Sequence, residues 1–281
     1  MKTGLIMEGG AMRGMFTAGV IDVMMENGIR FDGAIGVSAG AVFGCNYKSR
    51  QIGRVIRYNL RFCKDKRYSS FRSLLTTGNL YGADFCYREI PEKLDPFDKE
   101  TYKTNPMEFH IVCTDMDTGT PVYHRCDDGE HEDLEWMRAS ASMPVVSRPV
   151  KIRGQKLLDG GISDSIPIKY FELIGYRRNV IILTQPEEYF KQPYKIMPLL
   201  RIIYPRKKAM LQVIEHRHER YNETTAYIRR LEKEGRVFVI RPRTALNIGS
   251  VEHDPAELKR VYQEGRRVAT DRMEDLKAFM K

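Results

Sequence analysis

The sequence predicts an α/β domain, a largely parallel sheet with helices packed on it and helical additions toward the C-terminus. Three observations carry that expectation. Strand-turn-helix occurs twice within the first 45 residues, and parallel neighbours in a sheet need such crossovers. Asn179-Val180-Ile181-Ile182-Leu183-Thr184 is a nearly unbroken apolar run, the pattern of a strand covered on both faces. From residue 199 to 234 the pattern turns helical and strongly basic.

Leu5-Ile6-Met7 is a short apolar strand, and Glu8-Gly9-Gly10-Ala11-Met12-Arg13-Gly14 a glycine-rich turn. Residues 15–27 place Met15, Ala18, Val20, Ile21, Met24 and Met25 at helical spacing, and Gly28 supplies the stop. Residues 31–37 read as a second strand, and Ser38-Ala39-Gly40-Ala41-Val42 opens a second helix. Residues 48–105 are less regular. Their basic stretch, from Arg50 to Arg67 with Ile52, Val55, Ile56, Leu60 and Phe62 interleaved, fits a solvated helix with one apolar face, the alternative being a membrane-surface helix. Residues 69–82 read as a loop. Residues 108–114 and 120–124 are strand candidates, and 134–142 a helix stopped by Pro144. Residues 149–152 and 155–158 form a hairpin turned at Arg153-Gly154. Residues 237–240 are a last strand, and 254–279 a terminal helix.

A chain of 281 residues buries a full core without covalent staples. Its five cysteines form no CxxC pair, so neither a zinc ribbon nor a disulfide framework is expected. No stretch reaches the roughly 18–20 apolar residues that cross a bilayer, and the N-terminus lacks the longer apolar core of a signal peptide. The expected location is therefore cytoplasmic, with or without peripheral membrane association. The 46 Lys and Arg outweigh 37 Asp and Glu, a net +9, which suits an anionic partner such as a lipid surface or nucleic acid. No helix-turn-helix, zinc or RNP signature accompanies the charge, so nucleic acid is not expected.

Three motifs carry chemistry. Gly36-Val37-Ser38-Ala39-Gly40 is a G-x-S-x-G on a strand-to-helix turn; the turn exposes the serine hydroxyl, and small flanking residues leave room for substrate. Taken alone it is equally a small-residue turn that lets a helix pack on a sheet. The glycine-rich turn from Glu8 to Gly14 aims backbone N–H groups at one spot, suited to a phosphate or an oxyanion. It lacks the Gly-Lys-Ser/Thr ending of a P-loop and the spacing and acidic residue of a dinucleotide fingerprint, which leaves an oxyanion hole or an unliganded turn. Leu158-Asp159-Gly160-Gly161 is a turn former or, beside Ser38, a catalytic carboxylate.

The order and spacing of these motifs resemble the patatin-like phospholipase family. The segment Arg138-Ala139-Ser140-Ala141-Ser142-Met143-Pro144 is similar to that family's A-S-x-A-x-P block, so the resemblance spans roughly residues 4–168. It implies a three-layer α/β/α fold with a central mostly parallel sheet, and a catalytic core over 1–185. Residues 186–281 would be a basic helical region packed on the same domain, with a late strand near 237–240. It further implies Ser38 as nucleophile and Asp159 as general base. Gly9, Gly10, Ala11, Met12, Arg13 and Gly14 would form the oxyanion hole. Gly36, Val37, Ala39 and Gly40 would flank the nucleophile, and Gly160 and Gly161 would form the base turn. The implied activity is hydrolysis of lipid acyl esters of the phospholipase A or lysophospholipase kind, without cofactor or metal. The alternatives are an esterase or acyltransferase for short soluble acyl groups, and a catalytically silent lipid-binding member. One departure is Ala11, where the family often has a third glycine, since its methyl restricts positive φ.

Four further readings concern side chains outside these motifs. Chain order also permits a Ser38–Asp159–His triad using His216, His218 or His253, although that hydrolase fold places more strands before its serine. Arg13 suits either a head-group clamp or a loop brace. Asp115, Asp117, Asp127 and Asp128 lack EF-hand spacing and read as turn residues. The run from Arg201 to Lys208, with Leu199, Leu200, Met210 and Leu211 nearby, is either a charged helix or a surface for anionic lipid. Oligomeric state is left open.

Overall fold

A computed structural model describes residues 1–281. Its strands are β1 (Lys2–Met7), β2 (Gly33–Val37), β3 (Glu108–Asp115), β4 (Pro121–Cys126), β5 (Val150–Ile152), β6 (Gln155–Asp159), β7 (Tyr176–Ile182) and β8 (Val237–Ile240). They form one eight-stranded sheet in the order β5-β6-β3-β2-β1-β7-β8, with β4 also on β3. The pairs from β3 through β2, β1 and β7 to β8 are parallel, and those involving β4, β5 and β6 antiparallel. Arg153 and Gly154 both take positive φ between β5 and β6, the backbone a two-residue hairpin requires.

Alternation along the central strands sorts the core into two layers. Leu5 and Met7 of β1 and Ile111 and Cys113 of β3 face one side. There they meet α1 (Gly14–Glu26), α2 (Ala39–Lys48), α3 (Arg54–Phe62), α6 (His131–Ser140) and α11 (Pro255–Asp271). Ile6, Ile35, Val37 and Val112 face the other side, against α7 (Ile168–Leu173) and α10 (Arg217–Lys233). The result is the expected α/β/α sandwich, and each buried aliphatic side chain contributes on the order of 1.5–3 kcal/mol. Toward the C-terminus, β8 extends the sheet beside β7, and α11 lies along α1, where Gly19 and Gly265 leave room for backbone contact.

Local differences from the sequence reading have identifiable causes. Residues 69–82 are not all loop, because Ser70 caps a short helix, α4 (Phe71–Thr77), by accepting the Ser73 N–H at 3.1 Å. A seven-residue segment whose Phe71 and Leu75 stand in solvent shows no buried face and so leaves little periodic signal. The basic helix α3 is not simply solvated: Arg54 is buried and, with Arg57, grips Asp95. That pair ties α3 to the end of a π-helical segment, Phe85–Leu94, which was not anticipated, as were neither α5 (Lys99–Thr104) nor α7. The helical run from 199 to 234 is three helices, α8 (Met197–Ile203), α9 (Lys208–Glu215) and α10, the first break falling at Pro205. The terminal helix divides at Arg272 into α11 and α12 (Met273–Met280). The helix expected over 134–142 starts and ends earlier, as α6.

Candidate active site

The register of β3 brings two distant motifs together. Val37, the last residue of β2, pairs with Val112, and Asp159, the last residue of β6, pairs with Cys113. The opposite edge of β3 at Cys113 is taken by Val122 of β4. Strands β2 and β6 therefore lie end to end along one edge of β3, and their C-termini meet. Ser38 and Asp159 are neighbours because of this collision, although 121 residues separate them in sequence.

Ser38 occupies a strained turn. Its φ of 53° and ψ of −122° are not helical, and a non-glycine residue in such a region stores about 1–3 kcal/mol. The turn is tight because β2 and α2 nearly touch. A Cβ on Gly36 would fall on the Gly40 carbonyl, and one on Gly40 would fall on the Met7 carbonyl, so only glycine fits at either position. The Ser38 N–H donates to Ser140 Oγ at 3.0 Å, and that hydroxyl donates to the Val112 carbonyl at 2.6 Å. The Asp159 N–H donates to the Ser142 carbonyl at 2.8 Å. The end of α6 and the residues just after it thus brace both Ser38 and Asp159, a role that the sequence alone does not assign to this block.

The glycine-rich turn lies against the serine. A Cβ on Gly9 would come within 2.9 Å of Ser38 Cβ. The N–H groups of Gly9 and Gly10 donate to no protein acceptor, which leaves them free for a ligand. Ala11 does adopt a positive φ, 49°, so its methyl is tolerated where glycine would be unstrained. Ala11 through Arg13 make a single helical turn that leads into α1. Glu8 anchors the turn: its buried carboxylate accepts the Thr184 N–H at 2.6 Å and the Tyr221 hydroxyl at 2.7 Å.

Asp159 is 2% exposed. Burial pushes its carboxyl above the usual carboxylate range, while the Ser38 hydroxyl, the Arg217 guanidinium and the Gly161 N–H hold it down. The Gly161 N–H donates to Oδ1 at 2.7 Å, and Thr114 Oγ1 donates to the Asp159 carbonyl at 2.8 Å. Arg217 donates to the Gly161 carbonyl from the start of α10. No sequence signal pointed to Arg217, which sits among many surface arginines in the chain. Since Arg217 lowers the Asp159 pKa, Arg217→Gln should raise it. Were Asp159 a general base, the acid limb of a kcat/KM–pH profile would move to higher pH in this variant, with rate partly recovered in alkali; an unmoved limb would show that the two charges are not coupled or that Asp159 is not the base.

Arg13 is the last residue of the single helical turn before α1. Its Nε is buried without a partner, and Lys191 is near enough for the two cations to repel. Burial, aided by Arg217 and Arg13, lowers the Lys191 ammonium to about 8, and Lys191 packs over the Tyr221 ring at 4.3 Å. Arg13 therefore belongs to a cationic cluster beside the site.

A cavity of about 380 Å³ has Ser38 and Asp159 in its wall and is otherwise lined mostly by apolar groups, among them Val42, Tyr58, Ile90, Leu134 and Met137. This is the size of a ligand pocket. None of the six histidines reaches it. His216 pairs with Glu219, His218 with the Glu215 carbonyl and His253 with the Cys63 carbonyl, so the histidine triad finds no geometry here. The Asp115 carboxylate accepts the N–H groups of Asp117 and Thr118 at 2.8 Å each, as a turn residue does. Asp127 and Asp128 lie beyond the far end of β4, so the four aspartates form no common site. All five cysteines are free.

The sequence model of the patatin-like phospholipase family matches residues 5–172, and that of a domain of unknown function, DUF6363, matches residues 207–281. The uncharacterized protein YjjU of Escherichia coli (strain K12) is 26% identical over 275 residues, 94% of this chain and 75% of that protein. Lysophospholipase nte1 of Aspergillus oryzae is 26% identical over 179 residues, 62% of this chain. The chain spans only 11% of that fungal protein's length. Among solved structures, VipD from Legionella pneumophila aligns over 96% of this chain and 67% of its own, with a TM-score of 0.43 and 12% identity. The family match covers more than half of the sequence and includes all three motifs that the fold brings together; the chain belongs to the patatin-like phospholipase family.

Proposed function

We propose that the protein hydrolyses acyl esters of lipids, as a phospholipase A or lysophospholipase does, through a Ser38–Asp159 dyad and an acyl-enzyme. Family membership and the lysophospholipase relatives support lipid acyl hydrolysis as the activity. The observation that carries the finer reading is the meeting of Ser38, on its strained turn, with the buried Asp159 in the wall of an apolar cavity.

Asp159 accepts the Ser38 proton as the serine oxygen attacks the ester carbonyl. The N–H groups of Gly9 and Gly10 face the oxyanion, and a preorganised donor of this kind is worth roughly 3–4 kcal/mol. The tetrahedral intermediate collapses, the C–O bond to the alcohol breaks, and the alcohol leaves with the proton from Asp159. Water then gives its proton to Asp159 and attacks the acyl-enzyme. The Ser38 oxygen recovers the proton as the fatty acid departs. An ordinary carboxylate near 4 is a weak base for serine, so the upward push that burial gives Asp159 favours the step. A 380 Å³ apolar cavity favours a long acyl chain over a short soluble one.

The test is turnover of p-nitrophenyl esters from acetyl to decanoyl by wild type and Ser38→Ala, with fluorophosphonate labelling. Rates that climb with chain length, vanish in the variant and coincide with a label on Ser38 are expected. A folded wild type with neither turnover nor label at any length would overturn the hydrolase.

A further inference from the structure

We propose that the rim around the cavity mouth is a docking surface for anionic lipid bilayers, formed by α4 on one side and α8 on the other. Both helices leave large apolar side chains in water. Phe71 and Leu75, one helical turn apart on α4, are 79% and 85% exposed. On α8, Ile202 is 76% exposed, with Leu199 and Ile203 beside it also exposed. The other side of α8 is fixed, since Met197 and Leu200 are buried in a small cluster with Leu158 and Ile162. A seven-residue helix that is apolar all round except for Arg201 has one face too many for a water-soluble surface.

The two helices share a rim because both are anchored on the segment after α6. The Leu80 N–H donates to the Val146 carbonyl at 2.8 Å, and the Arg148 N–H to Asn79 Oδ1 at 3.0 Å, which fixes the end of α4. Met143 and Val145 of the same segment pack on the cluster that holds α8. Leu80, just after α4, and Ile196, just before α8, both line the cavity, so it runs between the roots of the two helices.

Charge selects the occupant. From Lys191 to Lys208 there are six lysines and arginines and no acid, and from Lys66 to Ala83 three and none. Arg201 and Lys207 are paired with Glu215 and Asp117. Arg72, Lys195, Arg206 and Lys208 are exposed and have no carboxylate partner. Apolar side chains projecting between unpaired cations match the acyl boundary and the phosphates of an anionic leaflet. No helix of the chain is long and apolar enough to cross a membrane, so contact through this rim would be peripheral. The proposal rests on the hydrolase reading only for what enters the cavity.

Vesicle co-sedimentation tests it, comparing phosphatidylcholine vesicles with vesicles that also contain phosphatidylglycerol. Wild type is expected to bind the anionic vesicles and to release in high salt. Phe71→Ser/Ile202→Ser should weaken binding about tenfold or more. Replacing Arg72, Lys195, Arg206 and Lys208 by Gln should weaken it about fivefold per charge, the equivalent of ~1 kcal/mol each. Thermal unfolding and hydrolysis of a soluble short-chain ester should be unchanged in both variants. Equal binding to neutral vesicles, no binding by wild type, or full binding by the serine variant would overturn the proposal. A wild-type dimer that dissociates in the serine variant, without vesicle binding, would also overturn it and assign the patch to a second copy of the chain. Loss of ester turnover in wild type with vesicle binding intact would sink the hydrolase and leave the rim standing.

Discussion

Asp159→Asn is expected to lower turnover by about 10²–10⁴-fold, the worth of a positioned general base, and to raise the melting temperature at neutral pH. The first effect follows from the role proposed for the carboxylate. The second follows from its burial. The folded-state pKa lies above the ordinary value, so the folded chain binds this proton more readily than the unfolded chain does. Stability from this group is present in acid and lost as pH rises through the folded pKa. At neutral pH the buried charge is a net cost. Asparagine removes that cost and keeps an oxygen to accept the Gly161 N–H. Its advantage over wild type should shrink in acid, as the wild-type carboxyl takes up its proton. Retained turnover in the Asn variant would sink the dyad. A lower melting temperature at neutral pH would mean that Arg217 and the Gly161 N–H stabilise the charge by more than burial costs.

The central sheet was legible because its strands are short apolar runs. Positions 5–7, 33–37 and 179–182 carry their identity in a few residues each. The helices were legible where one face is buried, as along α1, and not where tertiary contacts decide the outcome. Segment 71–77 is helical because Ser70 caps it, and its apolar residues point into solvent, so no amphipathic period marks it. Arg54 looks like any surface arginine in sequence. Only the fold shows that Asp95 draws it into the interior. The same limit applies at the site. Ser38 and Asp159 stand out through glycine spacing, because tight turns impose it locally. Ser140, Ser142 and Arg217 act through contacts across 102, 17 and 56 residues, and no local rule constrains their identity. The meeting of β2 and β6 on one edge of β3 is likewise a property of register, which no single segment encodes.

Replacing Ser38 should abolish turnover whichever residue enters, yet Ser38→Gly and Ser38→Ala should differ in stability. Both variants lose the hydroxyl, and therefore its contact with Asp159, so that term cancels between them. Alanine must still hold φ at 53° and ψ at −122° and keeps a Cβ beside Gly9. Glycine takes this backbone without steric cost. Relief of roughly 1–3 kcal/mol of strain, less the ~0.5–1 kcal/mol that glycine gains in the unfolded chain, leaves the Gly variant more stable by about 1 kcal/mol. For a chain of this size that difference is about 2 °C in melting temperature. Equal stability of the two variants would show that the turn stores no strain at Ser38. A more stable Gly variant, both being inactive, would show that the fold holds its nucleophile in an unfavourable conformation. That is the behaviour expected where geometry is maintained for attack at a carbonyl and not for the stability of the turn.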